Sequence, residues 1–431
     1  MKITSVKGFH DILPDESARW SWIEGCAREQ FSRYNFCELR IPIVERTELF
    51  SRSIGETTDI VEKEMYTFSD RDGSSLTLRP EGTASVVRAY VEHALNQREP
   101  VSKLFYFGPM FRRERPQKGR LRQFSQIGAE VIGRDDAGAD AEVLLLLYDL
   151  LEALHVRGAR VQLNSLGDAQ CRPAYRAALQ AFGHAHFVQL CENCQRRLDR
   201  NPLRLLDCKD PGCHAATAAA PLMLDYLCAP CRAHFDAVRA ILSREGLEPE
   251  LNARMVRGLD YYCRTAFEVV AEGLGAQNAV GGGGRYDGLV KALSGPDVPG
   301  IGFALGVERL ILSMAVHPAA AAQPPEIFLA PLGAAAEAEA MHLAHRWRRD
   351  GLRVETGGAG RSLKSQMRLA DRVGARYVCI VGEDELAARA LSVRDMTAKR
   401  DFPRALDIGA SASGVRAALA HLAHSPTEQR A

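Results

Sequence analysis

The 431 residues carry almost no net charge: 55 Lys and Arg against 54 Asp and Glu leave +1 at neutral pH. That weakens the case for a DNA-coating protein with a globally cationic surface, so nucleic-acid contacts have to come from local basic patches. No segment supplies the roughly 18 consecutive apolar residues needed to span a bilayer. The opening MKITSVKGFHDILPDESARW has neither a long apolar run nor a small-residue cleavage site, which predicts a cytoplasmic protein without a membrane partner. The chain also lacks internal repeats. Its one run of four glycines, in VGGGGRYDG at 280–288, has no GK[ST] and no βα spacing, so it is neither a P-loop nor a dinucleotide fingerprint.

What is present describes a soluble globular protein, with 46% hydrophobic and 25% charged residues. The length exceeds one ordinary core and predicts two or three domains. Trp20, Ile23, Ala27 and Phe31 recur at helical spacing, and the stretches LRIPIVE, LTLRP, KLFYFGPMF and RQFSQIGAEVIG read as strands. Pro42 makes the first of these an edge or interface strand. A helical run covers 138–155, and a cysteine-rich, mostly helical stretch, 171–245, interrupts the strand pattern before it resumes in MVRGLDYYCRTAFEVV. The Ala- and Pro-rich HPAAAAQPPE at 317–326 marks a linker. Beyond it strand and helix alternate, which predicts βαβ units and a small, mostly parallel sheet.

Three patterns carry candidate chemistry. In 104–133, two strands flank the polar loop RERPQKGRL, and period-2 spacing puts Gln126 and Glu130 on one face, beside Arg112 of the partner strand. A solvated sheet face is the plain alternative. RPEGT at 79–83 puts Glu81, Gly82 and Thr83 on a turn, and in GIGFALGVERLIL Arg309 sits on a helix from which it can reach a cleft; an ordinary turn and a solvated arginine are the plain alternatives. The nine residues RGLDYYCRT, 257–265, hold more polar chemistry than a core strand needs.

Six of eleven cysteines lie between 191 and 231. Without secretory features they are expected as reduced thiols or metal ligands rather than disulfides. The CENC and CAPC knuckles predict a structural zinc held by Cys191, Cys194, Cys228 and Cys231, with Cys208, Cys213 and His214 as substitutes. Buried reduced thiols and a redox pair are the other readings.

Taken together, these stretches resemble the class II aminoacyl-tRNA synthetases, and among them the histidyl-tRNA synthetase family. LRIPIVERTELFSRSIGETTDIVEKEMYTF is similar to motif 1, FYFGPMFRRERPQKGRLRQFSQIGAEVIG to motif 2, and GIGFALGVERL to motif 3. RGLDYYCRTAFE and GGGGRYDGLV resemble the histidine-specific signatures. The resemblance implies an α+β fold: a six-stranded or larger antiparallel sheet flanked by helices, a helical insertion and a C-terminal α/β anticodon-binding domain. The expected boundaries are 1–170 and 246–320 for the catalytic core, 171–245 for the insertion and 326–431 for the C-terminal domain.

The implied activity is ATP-dependent ligation of L-histidine to its tRNA through histidyl-adenylate, with Mg2+ accompanying ATP. A histidine-sensing regulatory paralogue of ATP phosphoribosyltransferase is the alternative. By resemblance, Arg112, Arg257 and Arg309 are the catalytic and ATP-binding arginines, with Arg257 standing where other class II enzymes place a divalent ion. Histidine is expected against Glu81, Gly82, Thr83, Arg112, Gln126, Glu130, Arg257, Tyr261, Tyr262 and Tyr286. The tRNA acceptor end is expected at Arg113, Arg115, Gln117, Lys118 and Arg120, and motif 1 implies a homodimer. The family's activity does not depend on a metal in the insertion, so the cysteines are where this chain departs from the common pattern.

Overall fold

A computed structural model describes residues 2–55, 58–275, 278–314, 324–358 and 360–424. The chain divides into two compact units, Met1–Ala320 and Ala321–Ala431. The expected linker spans that division, and its residues 317–323 lie outside the described residues.

The first unit contains an eight-stranded sheet: β1 (Cys37–Glu38), β2 (Ser102–Phe111), β3 (Gln123–Ile132), β4 (Arg160–Ser165), β5 (Glu250–Leu251), β6 (Cys263–Val270), β7 (Ala279–Arg285) and β8 (Gly300–Gly306). Its spatial order is β1-β2-β3-β8-β7-β6-β4-β5. The six long strands pair antiparallel throughout, and only the two-residue edge strands pair parallel.

Period-2 alternation gives this sheet two different faces. One carries Phe105, Ile127, Ala129, Val131, Phe267, Val269, Ile301 and Phe303. Against it pack α1 (Pro14–Arg33) through Ile23, Ala27 and Phe31, and a central helix, Ala137–Ala153, through Val143, Leu144, Leu147 and Leu150. Each such fully buried aliphatic side chain contributes about 1.5–3 kcal/mol. The intervening residues Gln126, Gly128, Glu130, Gly302 and Ala304 face the other way, toward α2 (Thr83–Glu92) and the cleft described below.

Two strand expectations change. LRIPIVE joins a ladder only from Val44, beyond Pro42, where Val44–Arg46 pairs into a separate three-stranded sheet with Ser75–Leu78 and Tyr66–Ser69. Proline has no N–H to give to a ladder and breaks the expected strand. MVRGLDYYCRTAFEVV is a strand only from Cys263, and residues before it form a turn. Consecutive Tyr261 and Tyr262 both line the cleft, which alternating strand geometry would forbid.

The insertion has its own small core of Tyr175, Leu179, Leu190, Leu198, Leu205 and Met223. Between Arg172–Ala185 and Ala229–Arg244 its helices are short, Glu192–Arg197 and Pro211–Ala216.

The second unit holds a five-stranded sheet, β9 (Ile327–Pro331), β10 (Val354–Thr356), β11 (Tyr377–Val381), β12 (Ala390–Asp395) and β13 (Arg400–Asp407), in the order β10-β9-β11-β12-β13. The first three pair parallel, as βαβ alternation predicts, and the last two close the sheet antiparallel. Ile327 and Leu329 pack with Trp347 and Val415 on one face, and Phe328 and Ala330 with Ala370 on the other.

Candidate active site

Gly282, Gly300 and Gly302 lie in the two central strands β7 and β8. A side chain at Gly282 would run into the Arg257 guanidinium, one at Gly300 into the Tyr286 ring, and one at Gly302 into the Glu130 carboxylate. Glycine weakens a strand interior, so its use here is explained by the groups it lets in. Gly82 and Gly128 likewise leave room for the ring of Tyr106.

Those groups line a cleft of roughly 260 Å3 on the open face of the sheet. One part is carboxylate-rich. Glu81 accepts the amides of Thr83 (2.8 Å) and Ala84 (2.9 Å) at the start of α2, where free helix N–H groups favour an anion. Glu130 is fully buried and accepts Thr83 Oγ1 at 2.7 Å and Tyr286 Oη at 2.6 Å. Burial raises its pKa from 4.5 to about 8, against the lowering effect of these two hydroxyls. Burial also raises the pKa of Glu81. Among the described residues, the buried atoms Gln126 Oε1 and Arg257 Nε have no hydrogen-bond partner. Buried polar atoms are nearly always paired, so such orphans point to a bound polar molecule.

The other part is rich in arginine. Arg309 Nε donates to Ala279 O at 2.5 Å and Nη1 to Gly119 O at 3.4 Å, which fixes the side chain across the glycine strand. Burial, and then the nearby Arg120, lower its pKa. Arg120 donates to Glu114 at 2.8 Å. Arg112 donates through Nε to Pro80 O at 2.9 Å and lies 5.2 Å over Phe124, so it stands between the two parts. Arg257 donates to Glu268 at 3.2 Å and lies 5.3 Å over the Tyr262 ring. A larger cavity of roughly 460 Å3 shares Arg257, Leu259 and Tyr262 with this cleft and extends toward the insertion.

Of the residues expected from the sequence, Glu81, Thr83, Arg112, Gln126, Arg257, Tyr261, Tyr262 and Arg309 line this one cleft, and Glu130 and Tyr286 stand directly behind it. The motif 2 loop divides. Arg120 points into the cleft, while Arg113, Arg115, Gln117 and Lys118 are exposed. Four lining or supporting residues escape sequence reasoning: Tyr106, Glu114, Glu268 and Glu308. Glu268 was accessible, since period 2 puts it opposite core-facing Phe267. Glu308 accepts the Ser125 amide at 2.9 Å, and burial raises its pKa to about 7.

The cysteines do not gather as expected. Cys191 and Cys194 cluster with Cys208 and Cys213, whereas Cys228 and Cys231 cluster with Asp168 and Cys171. The four-cysteine set read from the two knuckles is therefore corrected: identical local motifs end up in different places, and His214 joins neither group.

Residues 8–310 match the family model described as histidyl-tRNA synthetase, and residues 326–409 match the one described as anticodon binding domain. A protein of Syntrophotalea carbinolica named histidine--tRNA ligase is 53% identical over 409 residues, 94% of this chain and 97% of its own. One of the same name from Geobacter sulfurreducens is 55% identical over 394 residues, covering 91% and 95%. The solved apo histidyl-tRNA synthetase of S. aureus superposes with a TM-score of 0.78 at 35% identity, covering 93% of this chain and 97% of its own. A cleft built on an antiparallel sheet, with these arginines and glycines, thus coincides with a family match over most of the chain: it belongs to the histidyl-tRNA synthetase family.

Proposed function

We propose that the cleft is where histidine and ATP are joined, with the arginine-rich part receiving the triphosphate and the carboxylate-rich part the amino acid. The chain is a class II aminoacyl-tRNA synthetase that ligates histidine to tRNA at the expense of ATP. In the first step a histidine carboxylate oxygen attacks the α-phosphorus, the bond to the bridging oxygen breaks, and pyrophosphate leaves. In the second, a terminal ribose hydroxyl of the tRNA attacks the activated carbonyl and AMP leaves.

Displacement at phosphorus depends on positioning and on neutralising charge that develops on phosphoryl oxygens. Planar guanidinium forks match those oxygens. In this reading Arg112 and Arg257 hold the α-phosphate from two sides, and Arg309 the γ-phosphate. Glu81, Thr83 and Glu130 receive the ammonium group, with Gln126. Tyr261, Tyr262 and Tyr286 frame the imidazole. Magnesium arrives with the nucleotide as part of the substrate, bound largely through the phosphates. Arg115, Gln117 and Lys118 meet the acceptor end, and the C-terminal unit meets the anticodon loop of a histidine tRNA.

The observation that carries this reading is the position of Arg112, against Pro80 beside Glu81 and within the arginine group, because it links an ammonium-binding end to a phosphate-binding one. Motif 1 supplies the exposed apolar side chains Ile43, Val44 and Phe68 (41–45% exposed), which supports a two-fold homodimer. Cytoplasmic placement belongs to the same reading. Among the described residues no helix is long and apolar enough to cross a membrane. A structural zinc in the insertion is also part of it. The regulatory-paralogue alternative is less supported, since all three arginines and a C-terminal anticodon-type unit are present.

The test is ATP–pyrophosphate exchange with each amino acid in turn. Exchange with histidine alone is expected. In Arg257→Ala the exchange kcat is expected to fall about 10²-fold or more while the KM for histidine changes much less. The reverse pattern would remove Arg257 from the phosphate site.

A further inference from the structure

Two CxxC knuckles open two helices in the same way. Cys191 precedes Glu192–Arg197 with φ −66°, ψ 158°, and Cys228 precedes Ala229–Arg244 with φ −64°, ψ 160°. In each, the second cysteine, Cys194 or Cys231, lies buried in the first helical turn. Each knuckle is completed by a different pair. Cys208 and Cys213 come from the loop and short helix that follow the first, and Asp168 and Cys171 from the turn where the chain leaves β4.

We propose that the chain holds two structural zinc ions, one on Cys191, Cys194, Cys208 and Cys213 and one on Asp168, Cys171, Cys228 and Cys231. This deepens the zinc part of the proposed function and rests on it, while it is independent of the ligase activity. In each group all four ligand atoms lie within 4.8 Å of one another. Tetrahedral zinc with Zn–S near 2.3 Å holds its sulfurs about 3.8 Å apart, and Cys191 Sγ stands 3.9 Å from Cys208 Sγ. A disulfide needs about 2.05 Å, and the cysteines are all free. Backbone amides already point at the sulfurs, as around ligating thiolates: Cys191 N donates to Cys213 Sγ at 2.9 Å and Cys228 N to Cys171 Sγ at 3.1 Å. Asp168 Oδ1 accepts the amides of Gln170 (2.9 Å) and Cys171 (3.1 Å), which fixes the carboxylate, and both its oxygens lie 4.0 Å from Cys228 Sγ.

The physical need is clear at both places. Between its first and last helices the insertion has a small apolar core and only short helices, the situation in which a bound metal supplies folding free energy. The second site ties the chain leaving the catalytic sheet to the helix that returns to it. It also touches the cleft's support. Asp168 Oδ2 lies 4.0 Å from Arg264, and Arg172, beside Cys171, donates to the carbonyl of Tyr262. Emptying the second site should therefore loosen the Tyr261–Tyr262 turn; the segment of the first site reaches the same turn at Gly258, whose carbonyl accepts from Arg204 at 3.2 Å.

The test is metal analysis of the full chain, expressed and purified without chelator. About two zinc per chain are expected, about one in Cys208→Ser, about one in Cys171→Ser and none in the double variant. X-ray absorption of the unmutated protein is expected to give between three and four sulfurs per zinc, a readout that does not require the variants to fold. Cys171→Ser should raise the KM for histidine at least about threefold. Less than about 0.2 zinc per chain, iron in its place, or a single zinc lost from both variants would each overturn the assignment. Pyrophosphate exchange on the same preparation separates the two readings, since its absence leaves the zinc count standing and a metal-free but active protein rejects only the zinc.

Discussion

Gly302 is paired with Glu130 across β8 and β3, and a methyl group on Gly302 would occupy the place of the Glu130 carboxylate. Gly302→Ala is therefore expected to lower kcat/KM for histidine in pyrophosphate exchange by about 10²-fold or more, because it displaces a buried group by more than an ångström. Shortening the partner in Gly302→Ala/Glu130→Asp should return part of the loss. If the single variant keeps near-normal exchange, the close approach has no catalytic meaning.

Glu130 also predicts a pH dependence of stability. Its folded pKa, about 8, lies above the ordinary 4.5. Below pH 4.5 the folded and unfolded chains both hold the proton, so the group contributes nothing. Between 4.5 and 8 the unfolded chain has released a proton that the folded chain retains. Stability must then fall as pH rises, by up to about 1.4 kcal/mol per pH unit for one group, and level off above pH 8. Glu130→Gln, compared with the unmutated chain by urea unfolding from pH 5 to 8, should show a flatter profile. Parallel profiles would contradict the burial argument.

The motif 2 loop should separate two activities. Arg120 faces the cleft and pairs with Glu114, so Arg120→Ala is expected to slow pyrophosphate exchange about tenfold or more. Arg115→Ala and Lys118→Ala, both at exposed positions, should leave exchange unchanged. They should instead weaken tRNA charging several-fold and reduce its salt dependence, as loss of phosphate contacts does. Equal effects of all three substitutions on exchange would refute the division.

A buried ion-pair network holds the insertion's last helix and the glycine strand to the central helix Ala137–Ala153. Asp140 Oδ1 lies 3.2 Å from Arg285 Nε, both fully buried, and Asp140 Oδ2 lies 2.8 Å from His234 Nε2. Removing one side leaves the guanidinium buried and underpaired. Asp140→Ala is expected to destabilise the first unit by about 3–5 kcal/mol, read as a drop in its denaturation midpoint. A change below about 1 kcal/mol would mean that water or Asp287 compensates.

The sequence alone determined the repeating features of this protein. Period-2 alternation put Gln126 and Glu130 on one side of a strand, and βα alternation marked the C-terminal unit, because side-chain direction follows directly from backbone period. Even so, the turn at 257–262 has the look of a strand in the sequence, since a polar, aromatic-rich stretch beside an apolar run has strand composition whichever way its side chains point. Only the tertiary structure decided which distant groups meet. It set the glycines of β7 and β8 against Arg257, Glu130 and Tyr286, turned Arg120 toward the cleft and its neighbours outward, and sent two identical CxxC knuckles to different partners. A knuckle presents the same two sulfurs wherever it lies, so its remaining ligands are chosen by the path of the chain between them.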